Sequence, residues 1–284
     1  TEFRFKSSHG TQQYLAAFQR DFFTPEIRYA GGFRFENKKT IEDLEMIDTT
    51  LQQVPYTYSN YDFWIGRSFH LRKDNLLLRK RTNLMIAGRI FSTFHHNRPE
   101  VNEGYLYAFH NRLQFIGSAA LANQGFYKSH LVYGFGPTED IPFGYMVQLT
   151  GGFEMNEYKN RPYLGLSLSN GMYLQKRGGY LYNKIELGGF FKNRAVEQGT
   201  FRLTTRYFTP LFSHNRFKAR YFINFNYTTG IQRYPEEYVT IRNKEGVFGL
   251  TSTLLKGIQK MTFNFEAVSF TPYYFLGFRF AMFG

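Results

Sequence analysis

The chain has no cysteine, a single tryptophan and nine prolines, and its acidic residues are outnumbered by basic ones, 22 to 35 in 284 residues. Without cysteine, neither a disulfide framework nor a thiolate metal site can form. No run approaches the roughly 18 consecutive apolar residues that a membrane-spanning helix needs, and mean hydropathy is negative. Both argue against a helical membrane protein. A spanning β-strand passes unseen through such averages, because every second residue is polar. The formal charge of +13 would suggest nucleic acid if it were clustered. Here Arg and Lys fall at alternate strand positions or in turns, so no nucleic-acid partner is expected.

What the sequence does have is aromatic side chains, 33 Phe and 22 Tyr, together with 26 Gly. They are arranged with a period of two. In Arg216–Thr229, Phe217, Ala219, Tyr221, Ile223, Phe225 and Tyr227 share one side, and Arg216, Lys218, Arg220, Asn224 and Asn226 the other. Gln259–Glu266 repeats the pattern, as do Glu26–Glu36, Phe143–Glu154 and Phe201–Phe212. Period two over so many residues marks strands, longer than the roughly five or six residues usual in soluble proteins. About thirteen such segments follow one another, separated by turn residues such as Asn160-Arg161-Pro162 and Ser213-His214-Asn215. The exception is Asn37–Asn60, a polar connection expected to carry a short helix around Ile41–Ile47.

These features predict an all-β protein, a transmembrane antiparallel β-barrel. Its lumen would be lined by Arg28, Arg34, Arg89, Arg112, Arg202, Arg206, Lys218 and Arg220, with the aromatic faces toward lipid. The opening residues Thr1-Glu2-Phe3-Arg4-Phe5 read like an interior stretch. We expect residues 1–12 to end an upstream region and 13–284 to form the barrel.

Catalytic and metal patterns are weak. His95-His96 with Glu100 reads as a polar turn, and Ser129-His130 lacks an orienting partner at useful spacing. Gly151-Gly152 and Gly188-Gly189 lie inside strands, away from the strand–loop–helix context of a phosphate cradle. The sequence gives no reason to expect an enzyme, a metal or a cofactor.

Eleven segments precede the longest late loop, Gly230–Gly257, which contains Val247-Phe248-Gly249-Leu250; beyond it come Phe265-Glu266 and Phe270-Thr271-Pro272. Arg20-Asp21-Phe22-Phe23, Tyr29-Ala30-Gly31-Gly32 and Gly136-Pro137-Thr138-Glu139-Asp140-Ile141-Pro142 are further marked stretches. In these features the chain resembles the outer-membrane superfamily of the BamA assembly factor, TamA and the two-partner secretion transporters, in a Bacteroidota-type form. The resemblance implies a sixteen-stranded barrel whose carboxyl-terminal strands are missing here. It also implies a bacterial outer-membrane location, with lipid or lipopolysaccharide and client or accessory envelope proteins as partners. The implied function is insertion or export of envelope proteins; the alternative is a passive pore or a membrane anchor for an upstream domain. It further implies that Val247, Phe248, Gly249 and Leu250 fold inward as a latch near Glu266. Two departures stand out: Phe248 replaces the family's arginine, and Phe280-Ala281-Met282-Phe283-Gly284 lacks the family's carboxylate.

Overall fold

The computed structural model describes residues 1–8, 10–22, 26–45, 51–75, 80–132, 134–135, 138–174, 178–242, 246–247, 249–252 and 255–284. Its first ten strands are β1 (Glu2–Ser8), β2 (Thr11–Arg20), β3 (Tyr29–Glu45), β4 (Leu51–Asn75), β5 (Lys80–Asn97), β6 (Arg112–Ser129), β7 (Glu139–Asn156), β8 (Asn160–Tyr173), β9 (Tyr180–Lys192) and β10 (Ala195–Phe208). Then come β11 (Phe212–His214), β12 (Phe217–Ile231), β13 (Val239–Thr240), β14 (Lys256–Gly257), β15 (Gln259–Phe275) and β16 (Phe278–Phe283). Thirteen of them form one antiparallel meander in chain order, β1 to β10, then β12, β15 and β16; β11 attaches to β12, and β13 and β14 form a small separate pair. A single 3-10 turn, Tyr107–Phe109, is the only helical element among the described residues.

The path holds thirteen strands, eleven of them before the long loop, but they are not the same strands the pattern suggests. Glu2–Ser8, within the stretch expected to end an upstream region, pairs with β2 from Glu2↔Ala17 to Ser8↔Thr11. In compensation, two stretches that alternate like separate strands in the sequence, Gly104–Gly117 and Phe126–Gly134, contribute only Arg112–Gly117 and Phe126–Ser129, both to the single strand β6. The expected helix at Ile41–Ile47 is replaced, as far as the described residues go, by strand: Ile41 pairs with Pro55 and Glu45 with Leu51. A complete cross-strand ladder overrides the helical preference of Glu42-Asp43-Leu44-Glu45, since strand preference is set largely by the neighbouring strand.

Register aligns the two kinds of residue into rows. Phe69, Leu84, Leu121, Val147, Leu168, Ile185, Leu203, Tyr227 and Met261 are directly paired from β4 to β15, an unbroken apolar row across nine strands. One residue away, on the other face, run Gln148, Ser167, Glu186, Arg202, Thr228 and Lys260. The apolar face is solvent-exposed, with Phe63 51% and Leu149 53% accessible. The polar face is concave. Phe135, between β6 and β7, packs edge-on against Phe270 of β15 with ring centroids 5.1 Å apart, so the sheet curls around its polar side.

Burial is consequently inverted. Among the described residues, buried polar or charged residues outnumber buried apolar ones by seventeen to twelve, and the largest fully buried side chains include Arg161, His110 and Glu154. Soluble domains bury apolar groups first and leave Arg and Glu outside. The two ends of the strand order, β1 and β16, pair on one side only and are exposed along their length.

Candidate functional site: an ion cluster beneath two infolded loops

Glu154 of β7 stands directly opposite Arg161 of β8, and on its other side opposite Gln114 of β6. All three lie on the concave face. Arg161 Nε donates to Glu154 Oε1 at 3.0 Å, and neither side chain has any exposed surface. An ion pair so buried offsets its desolvation only if the remaining lone pairs and protons are also satisfied. They are. Gln114 Nε2 donates to Glu154 Oε2 at 2.6 Å, and the Tyr107 hydroxyl donates to the same oxygen. Arg161 Nη1 reaches Glu197 Oε2 at 2.7 Å, which also accepts from Lys159 at 2.8 Å, while Arg161 Nη2 donates to Gln198 Oε1.

Successive strand residues normally point to opposite faces, yet Glu197 and Gln198 both bond Arg161. The register between β9 and β10 shifts between Glu197 and Thr200, and Gln198 has φ of 50°. This bulge swings an extra side chain onto the concave face, as bulges do.

Two loops close over the cluster from the same end of the sheet. The first, 98–111, joins β5 to β6. It is turned inward at Leu106, whose φ is 54°, and sets Tyr107 above Glu154. The alternation of Tyr105, Tyr107 and Phe109 makes this stretch look like a strand in the sequence. The backbone instead coils into a 3-10 turn, with Leu106 and Phe109 buried against Tyr56. His110, fully buried, bonds the carbonyls of Asn102 and Tyr105 at 3.0 and 3.1 Å, fixing the loop's curl. Outside, Arg98 forks onto Glu157 in the β7–β8 turn. The second loop follows β12. Tyr234 stacks on Tyr107 with centroids 5.6 Å apart, and Glu236 accepts from the Tyr107 backbone N–H at 2.9 Å. Glu237 accepts from Gln198 at 2.6 Å.

Tyr107 is thus held on every side, with the Arg112 and Arg161 guanidinia 4.8 and 5.3 Å from its ring. Burial pushes its phenol above the usual tyrosine range. Its hydroxyl donates to the Glu154 carboxylate.

The opposite end of the concave face is closed differently. Val132, in the β6–β7 connection, packs with Ile141, Tyr180 and Phe208. Arg220 of β12 lies over the Phe208 ring at 4.9 Å and donates to the carbonyls of Thr209 and His130 at 3.1 and 3.0 Å. Between the two closures lies a cavity of about 1150 Å³ lined by Arg202, Arg206, Asn224, Asn264 and Glu266 among others.

The basic residues singled out from the sequence are distributed over this face. Arg34 and Arg89 line a cavity around Asp62, and Arg202 and Arg206 line the large one. Arg112 and Arg220 are drawn into the two closures. Arg28, before β3, and Lys218, on β12, are exposed. Glu266 faces the large cavity. Val247 is 54% exposed and donates to Ile241 O at 2.7 Å; Gly249 is exposed and Leu250 partly so. Phe248 lies outside the described residues. Among the described residues of that loop, inward-facing contacts come from Arg233, Tyr234, Glu236 and Glu237. His95 and His96 diverge, His95 against the Phe109 ring and His96 toward Ser59 at 2.9 Å.

Tyr107, Glu154, Arg161 and Glu197 were not distinguishable in the sequence from ordinary loop and strand residues. The only signal was the placement of Glu154 and Arg161 on either side of a tight turn, which aligns an acid and a base across a hairpin.

Comparison with protein-family models, with characterised proteins and with solved structures finds no match for this chain. What fold and site define directly is an all-β antiparallel protein with an apolar outer face and a polar, capped inner one.

Proposed function

We propose that the chain forms the wall of a bacterial outer-membrane β-barrel of the assembly and export class. One observation carries the membrane reading: the apolar row paired across nine strands on the exposed face. In water, so large an apolar surface is an interaction site or a liability; in lipid it is what a spanning sheet needs. Strands β3 to β10 run from 13 to 25 residues, beyond the roughly 9–11 required to cross. Lipid also demands that every strand edge be paired. The exposed edges of β1 and β16 are then the two edges that must find partner strands in the membrane.

The closures at both ends argue for a gated wall over an open pore. A passive pore needs a clear lumen, whereas here loops 98–111 and 232–238 at one end, and Val132 and Phe135 at the other, occupy it. The role is structural and translocating, with lipid and lipopolysaccharide outside and envelope proteins as clients. Photocrosslinkers placed along β1 and β16 in intact cells test this. Adducts with envelope-protein precursors are expected; adducts with lipid alone would favour the passive-anchor alternative. Single cysteines at Arg202 and Leu203 test the membrane reading by itself. Water-soluble thiol reagents are expected to label the first and spare the second in proteoliposomes, and equal labelling would refute it.

A further inference from the structure

Beside the ion cluster, the concave face encloses a cavity of about 660 Å³ that shares Gln148, Tyr163 and Phe190 with a neighbour of about 480 Å³. Both fall in the range of roughly 300–1,000 Å³ common to small-molecule sites. Two aromatic rings are laid against its wall by glycines. A Cβ on Gly32 would stand 2.6 Å from Trp64 Nε1, and a Cβ on Gly188 would stand 2.4 Å from the Tyr163 hydroxyl. Any larger residue at either place would lift its ring away from the strand beneath.

Rings over glycines also stiffen a sheet, so flat packing alone implies no ligand. The polar lining supplies the second argument. Most of its charges are already matched: Arg89 binds Asp62 through two hydrogen bonds, and Glu154 is held by Arg161 and Gln114. Asp21, also in the lining, accepts from the neutral Gln19 amide and keeps its charge. What else stays available is neutral. Gln148 Nε2 lies 3.3 and 3.5 Å from the Ser118 and Thr150 hydroxyls, long for such bonds. In the neighbouring cavity, the Ser167 hydroxyl is buried with no partner, a costly state for a polar atom unless something bonds it.

Aromatic faces beside neutral amides and hydroxyls, with Asp62 and Glu154 each held by an arginine, fit an uncharged polyhydroxyl ligand. An anion would meet the Asp62 and Glu154 carboxylates, and a cation the Arg89 guanidinium. We propose that this cavity and its neighbour bind a neutral oligosaccharide, its C–H faces stacked on Trp64 and Tyr163 and its hydroxyls bonded to Gln148, Thr150 and Ser167. This goes beyond the barrel reading and does not depend on it, because the cavity is a property of the folded chain in detergent as well as in lipid.

Trp64 is the only tryptophan, so its fluorescence reports binding beside this ring, and Tyr163 and Gln148, which line this cavity and not the one around Asp62, tie a response to it. The detergent-solubilised chain is titrated with gluco-, manno- and galacto-configured neutral trisaccharides and with a trigalacturonate. At least one neutral sugar is expected to give a saturable change with its midpoint below about 10 mM. Tyr163→Ala should weaken that binding about tenfold. Gln148→Ala, which leaves both rings in place, should weaken it about threefold and serves if Tyr163→Ala fails to fold, as judged by heat-modifiable gel mobility. No saturable response to any neutral sugar, unchanged affinity in the folded variants, or tighter binding of the uronate would overturn the assignment. Equal labelling at the two cysteine positions above would leave this outcome unaffected, so the two ideas fail separately.

Discussion

Tyr107, in the loop between β5 and β6, gives its hydroxyl hydrogen to the Glu154 carboxylate on β7, the same group that pairs with Arg161 of β8. One phenol thereby fastens a connecting loop to a buried ion pair on the wall. Tyr107→Phe keeps the ring stack on Tyr234 and removes only the donor. We expect a loss of about 1–3 kcal/mol, the cost of an unsatisfied buried acceptor, read as a lower unfolding temperature of the detergent-folded protein. An unchanged temperature would show that Gln114 and Arg161 satisfy Glu154 by themselves.

Removing one partner of the pair should hurt more than removing both. Arg161→Leu leaves Glu154 as a buried charge held only by neutral donors, and about 3–5 kcal/mol is the usual cost of such stranding. Arg161→Leu combined with Glu154→Leu should recover part of the loss. A double variant no better than Arg161→Leu alone would mean that Glu197 and Gln198, which also bind Arg161, dominate the cluster.

The outer end of loop 98–111 should loosen in acid. The Arg98 guanidinium, by hydrogen bonding, together with the Asn111 backbone N–H, holds the Glu157 carboxyl below its ordinary value of 4.5. A depressed carboxyl contributes stability that is fully present above that ordinary value. The contribution fades as pH falls from about 4.5 and is gone once the carboxyl protonates in the folded chain. Protease cleavage within 98–111, negligible at neutral pH, is expected to rise below pH 4.5. Glu157→Gln should already show it at neutral pH. Cleavage that does not change with pH would dismiss the Arg98–Glu157 fork as a fastening.

At the start of β7, Gly144 has φ of +126°, and a Cβ there would sit 1.9 Å from the Asn123 carbonyl oxygen. Gly144→Ala combines a backbone region costing roughly 1–3 kcal/mol for other residues with a clash against a neighbouring strand. Refolding yield in detergent should fall sharply, whereas Gly117→Ala, with open space around its Cβ apart from one carbonyl at 4.0 Å, should refold as wild type does. Comparable yields from the two would remove Gly144 as a constraint on the β6–β7 pairing.

On the outer face, Ile185→Lys places a charge within the apolar row. If that row lies in lipid, the cost should be on the order of 2–4 kcal/mol near the midplane, measured by reversible denaturant unfolding in bilayers. Lys at the neighbouring Glu186 position, on the polar face, should cost far less. Equal effects would remove the distinction between the faces.

The period-two pattern by itself determined that the chain is built mainly of strands, which residues share a face, and that one face is apolar. Side chains alternate in any extended chain, so Leu203 and Arg202 are assigned to opposite faces before any partner is known. Turn residues likewise separate most strands without reference to the rest of the fold. What the pattern could not reach was anything decided by a neighbour. Glu42-Asp43-Leu44-Glu45 is helical by local preference and became strand because β4 lies beside it. Tyr105–Phe109 alternates like a strand and was turned inward by Leu106 and the buried His110. The ion cluster depended on registers between β6, β7 and β8, on a bulge in β10 and on two loops 129 residues apart at Tyr107 and Glu236. No local pattern encodes a contact at that separation, because it comes into being only when the intervening strands pair in order and the sheet curls around its polar face.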